Sequence, residues 1–176
     1  MSGMFAPYGF GCTVDVDVSN WNVSNVTNMM HMFWEHMRIG SRDLSNWDVS
    51  NVTDMGSMFC GPNGGTVPRG MQNWNVSNVT NMSGMFCSWN SSEPADINLS
   101  NWDISNVTFM SNMFMLNIGV LDISGWGVPT NISGNDHIFN LSFFDNPNTR
   151  IYVGSSEMRD FVRERGLSEQ VQVIVR

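Results

Sequence analysis

A short segment recurs along this chain and limits the possible folds more than any other feature of the sequence. Each copy opens with an apolar residue three positions before a tryptophan and ends in Met-x-x-Met-Phe, although a fifth copy is less regular. The tryptophans are Trp21, Trp47, Trp74, Trp102 and Trp126, at spacings of 26, 27, 28 and 24 residues. One unit is too small to enclose its own apolar side chains, so adjacent copies must pack on each other.

The spacing of apolar residues within a copy predicts a strand followed by a short helix. Trp47 and Val49 are two residues apart and would share one face of a strand. Met55, Met58 and Phe59 stand at i, i+3 and i+4, the spacing of one helical stripe. The threonine before each such stripe is expected to act as a helix N-cap. The period lies in the leucine-rich-repeat range of roughly 20–29 residues, so we expect an α/β solenoid with leucine-rich-repeat-like coils.

Neither end of the chain carries a complete repeat. Residues 1–5 are identical to residues 82–86, and the start of this sequence has neither the basic nor the apolar region of a signal peptide. We therefore expect a solenoid of about five coils over residues 1–145 whose first coil is partial. The chain would then be part of a longer protein, or a complete short protein whose first half-coil caps itself or dimerises. Residues 146–176 are expected to form a C-terminal cap of strand, helix and strand, with Ser155 or Ser156 as the N-cap of a helix that runs to about Arg165 and stops at Gly166.

The string S-N-W-D-V-S-N-V-T-x-M-x-x-M-F, as it stands in residues 45–59, resembles the repeat of BspA-like leucine-rich-repeat surface proteins. The resemblance covers about residues 15–140. It implies an extracellular or cell-surface protein, often anchored to lipid or cell wall. Such proteins adhere to host or matrix proteins and to other cells.

The charge balance excludes two classes of partner. The chain carries 16 acidic residues against 8 arginines and no lysine, a formal net charge of −8. Nucleic acids and anionic membranes both require a basic face. No apolar run approaches the roughly 18 residues of a spanning helix, so we expect no membrane insertion of this segment.

We find no pattern that indicates catalysis, a metal or a cofactor. The prominent acids and hydroxyls are repeat positions, whereas an active site needs unique residues in a unique geometry. His31 and His36 are five residues apart and do not share a helix face, and no calcium-loop motif occurs. Cys60 and Cys87 occupy equivalent places in adjacent copies. We expect them to be buried free thiols, because stacked helical segments usually lie too far apart for a disulfide.

The outward positions of the expected strands are the candidate binding surface. We call one such set the contact column: it consists of Asn22, Asp48, Asn75 and Asp103. Two serine-rich columns flank it. The face could contact a protein or a glycan, or its side chains could be solvated or paired with each other. Trp89, in a variable loop between copies, is the best candidate for an additional exposed contact.

Three functions follow, in decreasing order of support. The first is a non-enzymatic, adhesin-like binding module that contacts host, matrix or cell-surface macromolecules. The second is a structural spacer of a larger surface protein with no ligand of its own. The third is binding to ice or another crystal surface, which requires the repeat threonines to lie on a flat exposed face and fails if they are N-caps.

Overall fold

The computed structural model describes residues 1–4, 16–34, 42–61, 67–88, 94–133, 137–139 and 146–176. Among these residues a short 3-10 helix spans Met71–Asn73, and the regular strands and the α-helix lie from Phe86 onward. In chain order these are β1 (Phe86–Cys87), β2 (Ala95–Asn98), β3 (Phe114–Met115), β4 (Ile118–Ile123), β5 (Arg150–Val153), α1 (Ser156–Arg163) and β6 (Gln172–Val175).

Each of the first four repeats contains three four-residue turns, the first of which is the 3-10 helix in the third repeat, so the expected strand and helix within these copies were wrong. In the second repeat, Trp47 N–H donates to Leu44 O at 3.1 Å. Val52 N–H then donates to Val49 O at 2.9 Å, and Met58 N–H donates to Met55 O at 3.2 Å. The first, third and fourth repeats make the same three hydrogen bonds. Apolar side chains at both ends of each turn are buried, with the exception of Trp21 and Val26 in the first repeat, which are partly buried.

Backbone conformation explains why Met-x-x-Met-Phe is not helical. The residue before the second methionine has a positive φ in every repeat that is described: 56° at His31, 51° at Ser57, 61° at Gly84 and 53° at Asn112. A left-handed residue at the third position of a four-residue turn interrupts a right-handed helix. A turn and a helix both bring residues i and i+3 together, so the methionine spacing fits either.

Successive repeats lie next to each other in parallel register. Thr53 N–H donates to Thr27 O, Thr80 N–H to Thr53 O and Thr108 N–H to Thr80 O, each at 2.8 Å. The residues that follow these threonines form parallel bridges, as do Asp43 with Arg69 and Gly61 with Ser88. Three lines of backbone pairing therefore join the repeats: before the first apolar residue, after the threonine and at the closing phenylalanine.

Stacked aromatic rings form the centre of the core. The closing phenylalanines stack with centroid distances between 5.4 and 5.8 Å: Phe33, Phe59, Phe86, Phe114 and Phe139. Trp47, Trp74 and Trp102 stack beside them at 6.2 and 6.4 Å. Each of these indole N–H groups donates to a backbone carbonyl of the preceding repeat at 2.8–3.0 Å, so the buried polar atom is satisfied.

A parallel sheet in the order β2-β4-β5-β6 continues the stack to the end of the chain. Residues 150–176 form a strand, a helix and a strand, in the order that their pattern predicts. The Ser155 side chain accepts a hydrogen bond from Met158 N–H and caps α1. Because β4 pairs with β5, the sheet is continuous across the boundary proposed at residue 145.

Residues 1–4 take the same turn as the methionine segments of the repeats. Gly3 has a φ of 60°, and its N–H donates to Met30 O at 2.9 Å. The terminal amino group of Met1 donates to Asn28 O, also at 2.9 Å. These contacts match those that the first repeat makes with the second.

Candidate functional site

The contact column is exposed, and one local hydrogen-bond pattern fixes each of its side chains. Its members are Asn22, Asp48, Asn75 and Asp103. Each Oδ1 accepts the backbone N–H of the serine two residues later, at 3.0–3.2 Å. In the first three, the serine hydroxyl also donates to Oδ1, at 2.6–2.8 Å. These Asx turns leave the second side-chain atom, Oδ2 or Nδ2, without a hydrogen bond to any described residue.

The two carboxylates of the column are stabilised in their charged form. Hydrogen bonds from the Ser50 side chain and backbone lower the pKa of Asp48 below its usual value. The hydrogen bond from the Ser105 backbone N–H is the main cause that lowers the pKa of Asp103. Donors that point at a carboxylate favour the anion, so both groups are negatively charged at neutral pH.

The contact column is exposed, but its side chains lie on turns and not on the outward face of a strand. Ser24, Ser50 and Ser77, three of the four serines expected to form a separate column with Ser105, donate their hydroxyls to the contact column itself. They are therefore supports for these side chains, and the exposed surface is narrower than three independent columns would be.

Asp103, at one end of the column, borders a cleft of about 400 Å³. Ser105 lines the same side, and Gly127, Val128 and Thr130 of the irregular fifth repeat line the other. The cleft combines a carboxylate and hydroxyls with the exposed side chain of Val128. This cleft could not be predicted from the repeat pattern, because its second wall comes from the copy in which that pattern is lost.

Two further lines of polar side chains connect the repeats, and sequence reasoning missed both. The Nδ2 groups of Asn51, Asn78 and Asn106 donate to the Ser24, Ser50 and Ser77 carbonyls at 2.7–2.8 Å. We call these three residues the asparagine ladder. The threonines form the second line: Thr53 Oγ1 donates to Thr27 O at 3.1 Å, and Thr80 and Thr108 repeat this bond.

The expectation that the threonines cap helices was therefore wrong. Thr27, Thr53 and Thr80 are exposed, but the donated hydroxyl hydrogen of Thr53 and of Thr80 is already used within the threonine line.

The remaining candidates divide between described and undescribed parts of the chain. Trp89, the proposed loop contact, lies outside the described residues, as do Cys12 and His36. His31 is partly buried, and its ring lies 5.8 Å from that of Trp34. Among the ranges that the structure describes, no three His, Cys, Asp or Glu side chains are grouped so that they could hold a metal ion.

Comparison with known proteins identifies a family. The family described as "Mycoplasma protein of unknown function, DUF285" matches residues 1–114 and 42–151. The chain belongs to this family. Searches of curated proteins and of solved structures gave no match for this DUF285 chain. Within its described segments, no helix has the length and apolarity needed to cross a bilayer.

Proposed function

We propose that this DUF285 protein is a non-enzymatic, adhesin-like binding module at the cell surface or outside the cell. The contact column would supply the binding surface for a protein or glycan partner. The observation that carries the proposal is the column's geometry: four exposed side chains on successive repeats, each held by the same Asx turn.

Preorganisation supports this proposal. An exposed Asn or Asp side chain normally loses rotamer freedom when it binds. Here Oδ1 is already fixed by the neighbouring serine, so the second atom can meet a partner at a smaller entropic cost. Asp48 and Asp103 add negative charge, which favours a partner with basic groups or hydroxyl donors.

We further propose that the paired repeats form a solenoid and that the family includes BspA-like surface proteins. Parallel hydrogen bonds between equivalent threonines support the solenoid. The repeat string in residues 45–59 supports the relationship. The surface location and the adhesive role rest on this relationship.

A structural spacer is the second candidate, and the same side chains favour it. Oδ1 of every column residue is bonded within its own turn, so the column is partly satisfied without a partner. The phenylalanine stack and the backbone pairing also continue from repeat to repeat, which suits a rod that projects another domain.

Binding to defined arrays of purified matrix proteins and glycans distinguishes the two functions. One variant carries lysine at all four column positions, which raises the net charge by six units. Its matched control carries lysine at three exposed acids of the C-terminal segment, with the same change in charge: Asp160, Glu164 and Glu169. A third variant, Asp48→Asn with Asp103→Asn, removes charge and keeps the acceptors that Asn22 and Asn75 provide in their own turns.

The binding module predicts saturable binding by the native chain and by the C-terminal control, and its loss from the column variant at unchanged circular dichroism. If the native chain binds no array component, or if both lysine variants bind as it does, the column is not the binding surface. The spacer then becomes the better account.

A further inference from the structure

Cys60 and Cys87 occupy matching positions in the second and third repeats. Phe59 N–H donates to Met85 O at 3.0 Å, and Gly61 N–H donates to Cys87 O at 2.8 Å. Gly61 and Ser88 form a parallel bridge. The two cysteines therefore lie in register, between a stacked pair of phenylalanine rings on one side and that bridge on the other.

This register removes the objection to a disulfide. The sequence predicted helical segments in these positions, whose backbones would be too far apart. In-register residues of parallel extended segments instead have Cα atoms about 4.8 Å apart. Disulfides span Cα distances of roughly 4.4–6.8 Å.

The two thiols also interact directly. A side-chain hydrogen bond with Cys60 lowers the pKa of the Cys87 thiol, against the opposing effect of burial. A lowered pKa favours the thiolate of Cys87, and the thiolate is the reactive form of cysteine. Both side chains are buried, with exposures of 5% and 7%, so a small oxidant reaches them more easily than a bulky disulfide does.

We propose that Cys60 and Cys87 are a redox pair that a peroxide converts into a disulfide between adjacent repeats. The Cys87 thiolate attacks one peroxide oxygen, the O–O bond breaks, and hydroxide leaves while a sulfenic acid forms. Cys60 gives up its proton and attacks the Cys87 sulfur, and the sulfenic hydroxyl leaves as water. In sum, two thiols and one hydrogen peroxide give one disulfide and two water molecules.

The product would lock two repeats that otherwise associate only through non-covalent contacts. It closes a loop between positions 60 and 87 and so restricts the unfolded chain. This inference does not depend on the binding function, since neither cysteine belongs to the contact column.

Mass spectrometry of the full chain tests the proposal. The folded protein is treated with hydrogen peroxide, denatured and alkylated. The reduced chain has three alkylatable thiols, whereas the oxidised chain should have one, at Cys12. Because the chain has no lysine, trypsin cuts only after arginine. Peptide 43–69, with Cys60, should be linked to peptide 70–150, with Cys87, until a reductant is added.

Two further measurements keep the test decisive. The Cys12→Ala variant should form the same link, and its oxidised form should unfold about 5–10 °C higher than its reduced form. Peroxide added to the chain in urea should give no preference for the 60–87 link. Three alkylated cysteines after peroxide, a link through Cys12, or an equal yield of the 60–87 link in urea would each overturn the proposal.

Discussion

At the residue scale, close backbone approach between repeats makes some glycines irreplaceable. A Cβ added at Gly125 would collide with the carbonyl oxygen of Ser100 in the preceding repeat. A Cβ added at Gly127, two residues later, would meet nothing within 4 Å. The two positions look equivalent in the sequence, because both flank Trp126 in the copy where the repeat pattern is weakest.

We therefore expect Gly125→Ala to lower the free energy of unfolding by about 1–3 kcal/mol, the usual range for forcing an extra methyl into packed structure. Gly127→Ala should change it by less than about 0.5 kcal/mol. Urea unfolding of both variants checks this. Equal stability of the two variants would mean that the fourth and fifth repeats do not approach each other as described.

The aspartates of the Asx turns should make stability depend on pH. Hydrogen bonds lower the folded-state pKa of Asp48 and Asp103. A lowered pKa stabilises the fold above the ordinary aspartate pKa, and this contribution is lost as the pH falls through the folded value. The melting temperature should therefore decrease from near pH 3.8 downward. The melting temperature of the Asp48→Asn, Asp103→Asn variant should decrease less over the same pH range. An identical pH profile for the two proteins would show that these two aspartates do not cause the pH dependence.

At the element scale, turns replace the regular elements that the sequence predicts. The pattern correctly identified most buried positions: Trp74 is 3% exposed and Met82 is 0% exposed. It could not identify the element, because residues i and i+3 converge in a turn as well as in a helix. A glycine at the third position of two Met-x-x-Met segments, Gly3 and Gly84, was the available signal for a positive φ.

The candidate site was predictable only in part, for a related reason. Each contact-column residue stands between two buried or partly buried residues in the sequence. Such alternation predicts an exposed side chain whether the segment is a turn or a strand. The asparagine ladder was not predictable, because its bonds join residues 27–29 positions apart and depend on the register between repeats. The burial pattern within residues 150–176 does not depend on the register between repeats. The elements of this segment were therefore predicted more accurately.

The asparagine ladder should contribute to stability one repeat at a time. Asn78→Asp removes the donor to the Ser50 carbonyl and places a carboxylate beside it, which should cost about 1–2 kcal/mol. Asn25→Asp is the matched control, because Asn25 makes no hydrogen bond to any described residue. Thermal unfolding of both variants at pH 7 measures the difference. Equal losses would show that the ladder does not stabilise the interface between repeats.

At the scale of the whole molecule, the phenylalanine stack joins the repeats into one core. Phe86 lies in the middle, with ring centroids 5.8 Å from both Phe59 and Phe114. In a stacked array each repeat is stabilised mainly by its neighbours. A mutation that weakens one interface should therefore uncouple the unfolding of the repeats before it from that of the repeats after it. The sheet β2-β4-β5-β6 extends this dependence to the C-terminus.

Phe86→Ala should therefore lower the free energy of unfolding by about 3–5 kcal/mol. It should also split one unfolding transition into two, because the halves on either side lose their coupling. Phe109→Ala is the control: Phe109 is 50% exposed, and its loss should cost less than about 0.5 kcal/mol. A single transition of unchanged width in Phe86→Ala would argue against coupling through the stack.

Parallel pairing of turn-built repeats at equivalent threonines can be observed by nuclear Overhauser effects in a threonine-labelled chain. We expect contacts between Thr27 and Thr53, Thr53 and Thr80, and Thr80 and Thr108, because each adjacent pair shares a 2.8 Å backbone hydrogen bond. Continuous helical amide contacts through residues 55–59, without contacts between these threonines, would contradict this pairing.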